Sequence, residues 1–285
     1  MTPLIKQLPA GLVLVATPIG TARDITLRAL DTLASADVLA AEDTRTLRHL
    51  MDLHGIALGE RRILAYHDHN GAEMRPRLLR AIAEGKSVAY ASEAGTPLVA
   101  DPGFQLARAV IEAGFPVTSA PGPSAVIAAL SIAGLPTDRF LFAGFPPPAK
   151  GARATWLTEL GSIPATLVIY ESPKRIHRLL SDLVPLFGAD RQAAVCRELT
   201  KRFEEVLRGT LGELQTVLAD RALKGEIVLV IDRDRRVASA DTMEEALMRE
   251  LQTMSVKDAA ATVAQALGLP RRQVYQAALK LRKPE

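Results

Sequence analysis

Four loops of this sequence are dense in glycine, proline and small side chains, which let the backbone approach a ligand closely and hold a loop in one shape. They are Thr17-Pro18-Ile19-Gly20, Ser92-Glu93-Ala94-Gly95-Thr96-Pro97, Asp101-Pro102-Gly103 and Pro121-Gly122-Pro123-Ser124-Ala125. Ligands of open α/β sheets bind at the carboxyl ends of the strands, where such loops meet. One loop of this kind could be an ordinary turn, whereas four together favour a ligand site.

Two further motifs carry side chains that can transfer protons or bind anions. Glu42-Asp43-Thr44-Arg45 lies at a strand-to-helix transition, so Asp43 or Thr44 could equally cap the next helix. Arg45 could pair with Glu42, or it could bind a phosphate through two parallel hydrogen bonds. His67 lies in His67-Asp68-His69-Asn70. An imidazole can exchange a proton near neutral pH, although a loop histidine can also act only as a hydrogen-bonding group.

Several classes of ligand site have no signature here. The sequence contains neither G-x-G-x-x-G nor G-x-x-x-x-G-K-[ST], which disfavours a conventional dinucleotide site and a phosphate-binding NTPase loop. His67 and His69 are two residues apart on a loop and lack the further ligands of a zinc cage. We therefore expect no metal site.

The strands and helices that must position these loops are predicted to form two α/β domains. Before residue 144, apolar runs of strand length are separated by helical patterns, which predicts a mostly parallel sheet covered on both faces. The predicted strands are 12–16, 37–41, 63–66, 87–91, 117–120 and 140–143, followed by 165–170, 192–197, 203–207 and 226–231. The run Gly144-Phe145-Pro146-Pro147-Pro148 breaks every regular pattern between the two sets. We predict a first α/β domain over residues 1–143 and a second over 144–238.

Residues 239–285 are predicted to form a small helical domain. Ser255 with Asp258 fits a capping box, and two amphipathic helices flank Gly268-Leu269-Pro270 in the proportions of a helix-turn-helix. The last helix is basic. Its cations could bind nucleic-acid phosphates, or they could be a solvated face near a helix C-terminus.

Composition sets wide bounds on the class of protein. The chain has 285 residues, 48% of them apolar and only 4% aromatic, with a net charge of +3 and a pI near 9.1. This permits a polyanionic partner without requiring one. One cysteine, Cys196, and no signal-peptide pattern point to the cytoplasm. No apolar run reaches the roughly 18 residues that a membrane-spanning helix needs.

Taken together, the motifs resemble those of the ribosomal RNA small subunit methyltransferase I family. The resemblance extends in order and spacing from about Leu12 to Ile231, beyond the motifs already given. The remaining matching motifs are Ala133-Gly134-Leu135-Pro136, Tyr170-Glu171-Ser172 and Arg197-Glu198-Leu199-Thr200-Lys201. Two departures are visible, because the family usually has Ser-Asp where this chain has Ser92-Glu93, and Asn-Leu where it has Thr21-Ala22.

The resemblance implies a fold of the tetrapyrrole-methylase superfamily, in which two α/β domains hold the methyl donor in the cleft between them. It implies methyl transfer from S-adenosylmethionine to the ribose 2′-hydroxyl of a cytidine in the decoding region of 16S rRNA, within the small ribosomal subunit. A homodimer is also implied. The donor site should include Pro18, Ala94, Gly95, Thr96, Val99, Ser124, Ala125, Tyr170, Glu171, Glu226 and Ile227.

For that reaction, a base or a charge near the weakly nucleophilic hydroxyl would help. The candidates for this role are Glu42, Asp43, Arg45 and His67. The candidates for RNA contact are Arg45, Arg197, Lys201, Arg271, Arg272 and Lys280. Arg197 and Lys201 are also explained by the alternation of a half-exposed strand.

Two other functions compete with this one. A tetrapyrrole or diphthine-type methylase would share the fold, but such proteins do not typically carry the loops that contain Glu42 and His67. A DNA-binding regulator built on the helix-turn-helix would leave the four ligand-type loops unexplained. Binding of S-adenosylmethionine with strict dependence on RNA distinguishes the first function from both.

Overall fold

A computed structural model describes residues 3–67, 69–99, 103–233 and 240–281. The chain divides into two compact units, Met1–Asp232 and Arg233–Glu285, and each is described by itself. Of the motif residues, Asp68, Asp101 and Pro102 lie outside the described residues.

The first sheet contains five parallel strands in the order β3-β2-β4-β1-β5. They are β1 (Gly11–Val15), β2 (Val38–Ala41), β3 (Ile63–Ala65), β4 (Ser87–Ala91) and β5 (Val117–Ala120). Because all five run the same way, the loops that follow them lie at one edge of the sheet. The sequence predicted each of these strands to within one residue or two.

Helices cover both faces of this sheet, as an all-parallel sheet requires. The helices are α1 (Leu27–Ser35), α2 (Thr44–Leu53), α3 (Gly71–Ala83) and α4 (Phe104–Glu112). Helix α5 (Ala125–Ala133) follows β5 and packs on the second sheet. Alternate residues of β2 show the division, because Leu39 packs with the α1 and α2 side chains and Ala40 packs with those of α3 and α4.

The second sheet is mixed, with the order β6-β7-β10-β8-β9. Its strands are β6 (Phe140–Gly144), β7 (Thr166–Glu171), β8 (Gln192–Arg197), β9 (Glu205–Thr210) and β10 (Ile227–Ile231). One face packs against α6 (Lys150–Gly161), α7 (Ile176–Phe187) and α8 (Leu211–Leu218). The other face packs against α5, whose Val126, Ala129 and Leu130 share a cluster with Val168 and Val230. Helix α5 therefore joins the two sheets into one unit.

The passage from the first sheet to the second differs from the sequence prediction. We expected strand 140–143 to close the first domain and the boundary to fall at residue 144. The structure pairs β6 with β7 in the second sheet, so the chain has already changed sheets before Phe140. Proline and glycine mark the end of the strand, but they do not show which sheet it joins.

The second unit is helical over its described residues. It contains α9 (Ala240–Glu250), α10 (Val256–Leu267) and α11 (Arg271–Leu281) around a shared apolar core. Ser255 caps α10 by accepting the Asp258 N–H at 3.2 Å, and Gly268 ends it with a positive φ of 64°. In the described part of the chain, no helix is long and apolar enough to cross a membrane.

The start of the β2–β4 pair is fixed by one carboxylate. Asp37 accepts hydrogen bonds from the Ser87 hydroxyl at 2.5 Å and the Ser87 N–H at 2.8 Å. These two bonds, the hydroxyl bond first, hold the pKa of Asp37 below its ordinary value. The carboxylate therefore stabilises the fold fully above the unfolded-state pKa of Asp37, and this contribution is lost as the pH falls through the lower folded-state pKa.

We predict that Asp37→Asn lowers the free energy of unfolding at pH 7 by about 1 kcal/mol, since the amide replaces a charged acceptor. The difference between variant and wild type should shrink as the pH falls from 5 to 3. Urea unfolding at several pH values measures it. Asp31→Asn, which changes an exposed-site carboxylate that accepts the Leu4 N–H at 2.7 Å, is the control. A constant difference across this pH range contradicts the prediction.

Candidate functional site

The loops at the carboxyl edge of the first sheet are bonded to one another through their backbones. Thr17 and Gly95 form a reciprocal bridge, with N···O distances of 2.9 and 3.0 Å. The Ser92 hydroxyl donates to the Gly95 carbonyl at 2.7 Å, and the Thr96 hydroxyl donates to the Pro123 carbonyl at 2.9 Å. The loops after β1, β4 and β5 therefore form a single connected wall.

Glycine is required at the centre of this wall. Gly95 has a φ of 81°, which L side chains rarely adopt, and a Cβ there would lie 3.3 Å from Cγ2 of Ile19. The wall borders a cavity of about 400 Å³ within the first unit. The residues contributed by the first sheet are Ile19, Glu42, Glu93, Ala94, Gly95, Thr96, Val99, Ser124 and Ala125.

The opposite wall comes from the second sheet. It consists of Phe145, Tyr170, Glu171, Ser172, Pro173, Gly225, Glu226, Ile227 and Val228. Glu171 is buried, and its Oε1 accepts bonds from the Ser172 N–H and from Nε of Arg175, both at 2.7 Å. These two bonds satisfy the buried carboxyl group and fix its position in the wall.

The cavity gathers every residue predicted for the donor site except Pro18, which lies in the adjacent loop. Sequence reasoning missed several wall residues, among them Ile19, Phe145 and Pro173. Glu93, which stands where the family usually has aspartate, also lines the cavity. Adjacency to the motif residues Pro18 and Ser172 was the available signal for Ile19 and Pro173.

Four carboxylates give the cavity its electrostatic character. Glu42, Glu93, Glu171 and Glu226 line it, and Lys201 lies behind Glu226. The Lys201 ammonium group bonds Glu226 at 3.0 Å and Glu198 at 3.1 Å. Burial opposes its charge, but the bonds to the two glutamates outweigh this and raise the pKa of Lys201.

The turn that carries Lys201 also contacts the first sheet. The Thr21 N–H donates to the Thr200 hydroxyl at 3.3 Å, and a Cβ on Gly20 would lie 2.5 Å from that hydroxyl. Arg197, the other RNA-contact candidate near this turn, is paired with Glu205 at 3.1 Å. Arg197 and Lys201, which were both predicted to contact RNA, therefore form ion pairs within the protein.

The polar motif after β2 separates into two roles. The Asp43 carboxylate caps α2, accepting the N–H groups of Arg45 at 2.7 Å and Thr46 at 3.1 Å. These bonds, that of Thr46 first, lower the pKa of Asp43. Glu42 lines the cavity instead, and its Oε2 lies 3.5 Å from the Glu93 N–H. The structure thus places Glu42, and not Asp43, against the ligand space.

Two other candidates lie outside the cavity lining. Arg45 is 92% exposed and lines a shallow groove with Arg48, His49 and Arg62. His67 follows β3, and its N–H donates to the Asn70 side chain at 2.9 Å. Among the described residues its buried Nδ1 has no hydrogen-bond partner. Among the described residues, no group of three or more His, Cys, Asp or Glu side chains could hold a metal ion.

The basic residues of the second unit that were predicted to contact RNA lie on one helix. Arg271, Arg272 and Lys280 are all exposed on α11, while Val274 and Ala278 form its buried face.

Comparison with known proteins assigns both units. Residues 11–215 match the family model of tetrapyrrole (corrin/porphyrin) methylases. Residues 237–282 match the model of the RsmI C-terminal HTH domain.

Among curated proteins, the ribosomal RNA small subunit methyltransferase I of Mesorhizobium japonicum is 46% identical over 97% of this chain and 94% of its own length. The protein of the same name from Xylella fastidiosa is 44% identical over 94% and 98%. Among solved structures, the uroporphyrin-III C-methyltransferase of Thermus thermophilus, complexed with S-adenosylhomocysteine, shares the fold. Its TM-score is 0.54 at 20% identity, over 78% of this chain and 97% of that one.

Because similarity at this level extends over nearly the whole chain, the chain belongs to the ribosomal RNA small subunit methyltransferase I family, which uses S-adenosylmethionine to methylate the ribose 2′-hydroxyl of a cytidine in 16S rRNA.

Proposed function

We propose that the cavity between the two sheets holds S-adenosylmethionine and that the target ribose enters it beside Glu42. The observation that carries the proposal is the convergence of loops from both sheets on one cavity, with all the predicted donor residues except Pro18 on its walls. We further propose three working parts, over residues 1–139, 140–238 and 239–285. The first boundary, predicted between 143 and 144, is placed before Phe140 because β6 belongs to the second sheet.

The size and chemistry of the cavity fit this donor. A volume of about 400 Å³ lies within the range of small-molecule sites. The donor carries positive charge on its sulfonium and its ammonium group, and four glutamates line the walls. The bridge between Thr17 and Gly95 brings peptide groups to the wall without a side chain in the way.

When bound, the donor supplies an activated methyl group. The chain's own residues then have to hold the ribose oxygen in line and accept its proton, and orientation alone can contribute roughly 7–11 kcal/mol to such a step. We assign proton acceptance to the Glu42 carboxylate. Asp43 is less suited, because its bonds to the N–H groups of α2 stabilise the charged form and make it a weaker base.

RNA is proposed to contact two basic surfaces. One is the groove with Arg45, which begins next to the cavity residue Glu42. The other is the exposed basic side of α11. Phosphate contacts of this kind position the substrate, and the nucleotide itself is recognised elsewhere.

The reaction is tested with radiolabelled S-adenosylmethionine and small ribosomal subunits from cells that lack this gene, followed by mapping of the labelled nucleotide. A 2′-O-methylcytidine in the decoding region supports the proposal, and unlabelled RNA despite donor binding excludes it. A small-molecule or diphthine-type methylase has no observation in its favour beyond the shared fold.

We also propose a cytoplasmic homodimer, and sedimentation of the purified protein tests the dimer.

The donor site predicts a specific effect at Gly95. Gly95→Ala should weaken donor binding about tenfold or more, because the new Cβ both strains a left-handed residue and presses on Ile19 in the wall. Calorimetry with S-adenosylhomocysteine measures the affinity. Gly85→Ala is the matched control, since Gly85 has a similar φ of 85° but nothing within 4 Å of its Cβ. Equal affinity in both variants would contradict the assignment.

The proton acceptor is tested by separating Glu42 from Asp43. Glu42→Gln should lower kcat about a hundredfold or more while donor affinity stays the same, as expected for loss of a general base. Asp43→Ser keeps a side-chain oxygen at the helix cap and should leave kcat nearly unchanged, whereas Asp43→Ala should cost about 1 kcal/mol of stability. If Asp43→Ser loses as much activity as Glu42→Gln, the assignment is wrong.

The basic helix α11 is tested by salt dependence. Replacing Arg271, Arg272 and Lys280 with alanine should weaken binding to small subunits and reduce the slope of log K against log salt by roughly 1 per lost phosphate contact. Donor affinity should not change. Lys257→Ala, which removes an exposed cation from α10, is the control. An unchanged slope in the triple variant rules out phosphate contact by α11.

A further inference from the structure

An exposed phenylalanine lies on the wall of the donor cavity. Phe145 is 54% exposed, and its ring lies 5.5 Å from that of Tyr170, with the planes at 65°. Tyr170 packs in turn against Phe142, with ring centroids 4.7 Å apart. The three rings form an aromatic cluster, and Phe145 is its accessible member. In the sequence, Phe145 is recognisable only as part of the break at Gly144-Phe145-Pro146-Pro147-Pro148.

The backbone directs Phe145 out of the sheet in a defined way. The pairing of β6 with β7 shifts register between Phe142 and Gly144, which is a bulge of the kind that re-aims a side chain. Gly144 has a φ of 70°, in the left-handed region that favours glycine. Three prolines follow Phe145 and restrict the chain on its other side.

The loop is then held from below by a buried arginine. Arg153 is only 2% exposed, and its Nη1 donates to the carbonyls of Pro147 at 3.3 Å and Pro148 at 3.0 Å. Its Nε donates to Asp182 at 2.7 Å. Burial of a guanidinium costs desolvation free energy, and here the buried group holds two loop carbonyls in place. The loop is therefore kept in one conformation. This conformation holds the Phe145 ring in an exposed position, where the ring contributes little to the stability of the fold.

We propose that Phe145, backed by Tyr170, is the platform on which the target cytosine base stacks while its ribose is methylated. An enzyme that acts on one nucleotide of a folded RNA must take it out of its stack, and an aromatic side chain replaces the lost stacking. This inference rests on the proposed function, because it assigns a position to the substrate of that reaction.

The alternative occupant of the platform is the adenine of the donor, and strand order favours the RNA base. Phe145 follows the edge strand β6, whereas the residues of this sheet that are predicted to hold the donor belong to β7 and to the start of β10, nearer the middle of the sheet. Donor affinity in a Phe145 variant distinguishes the two occupants.

The test compares Phe145→Leu and Phe145→Trp in the full-length enzyme, with unmethylated small ribosomal subunits as substrate. Phe145→Leu should lower kcat/KM for subunits about tenfold or more, as expected when a base–aromatic stack is lost, with donor affinity unchanged. Phe145→Trp should restore it, since it keeps an aromatic face. Phe140, on the strand that precedes Phe145, is 43% exposed and lies outside the cavity lining, so Phe140→Leu should behave as wild type.

Fluorescence gives a readout that a merely structural role would not move. Trp156 is the single tryptophan, so Phe145→Trp combined with Trp156→Phe reports on this position alone. Its emission should be quenched by subunits more strongly than that of Phe140→Trp in the same background. Loss of donor affinity in Phe145→Leu, or no loss of kcat/KM, overturns the inference. A wild-type enzyme that leaves subunits unlabelled overturns the proposed function itself, which distinguishes the two failures.

Discussion

The backbone bridge between Thr17 and Gly95 is the contact on which the site depends. It joins the loops after two neighbouring strands by reciprocal N–H···O bonds of 2.9 and 3.0 Å. The Ser92 hydroxyl fixes the Gly95 carbonyl within the loop after β4, and the Thr96 hydroxyl extends the connection to the loop after β5. A parallel sheet brings these loops to one edge, but it does not hold them in one conformation. The hydrogen bonds do this, so the ligand meets a preformed wall and little ordering remains for binding.

The charges around the site are arranged by sign. Carboxylates line the cavity, where a cationic donor fits, and exposed arginines lie outside it in the groove with Arg45. Lys201 is the exception, because it lies beside the cavity but is held by Glu198 and Glu226. Its contribution is to fix the Glu226 wall against the turn that contacts Gly20. A cation near the cleft of an enzyme that acts on nucleic acid can thus serve to stabilise the donor site.

Periodicity predicted the strands and the helical second unit, because it is a local property of the sequence. Most residues of the cavity wall were implied by the family resemblance, which rests on local motifs. What they did not predict depends on contacts between distant residues. The sheet to which β6 belongs is decided by pairing with β7, and the role of Asp43 by the helix that starts after it. Phe145 was missed because its meaning comes from the bulge, Tyr170 and Arg153. The run of Gly144 before it and three prolines after it was the one local signal.

Backbone strain identifies the same site independently of any motif. In the described part of the chain, the non-glycine residues with a left-handed φ are Leu98, Glu198 and Thr200. Leu98 lies in the cavity loop after β4, and the other two lie in the turn that carries Lys201. Each such residue costs on the order of 1 kcal/mol or more and persists only where its surroundings over-determine it. Among the described residues, such strain occurs only in a loop that borders the cavity and in the turn behind the opposite wall, which indicates that the two sheets are folded to present this site to a ligand.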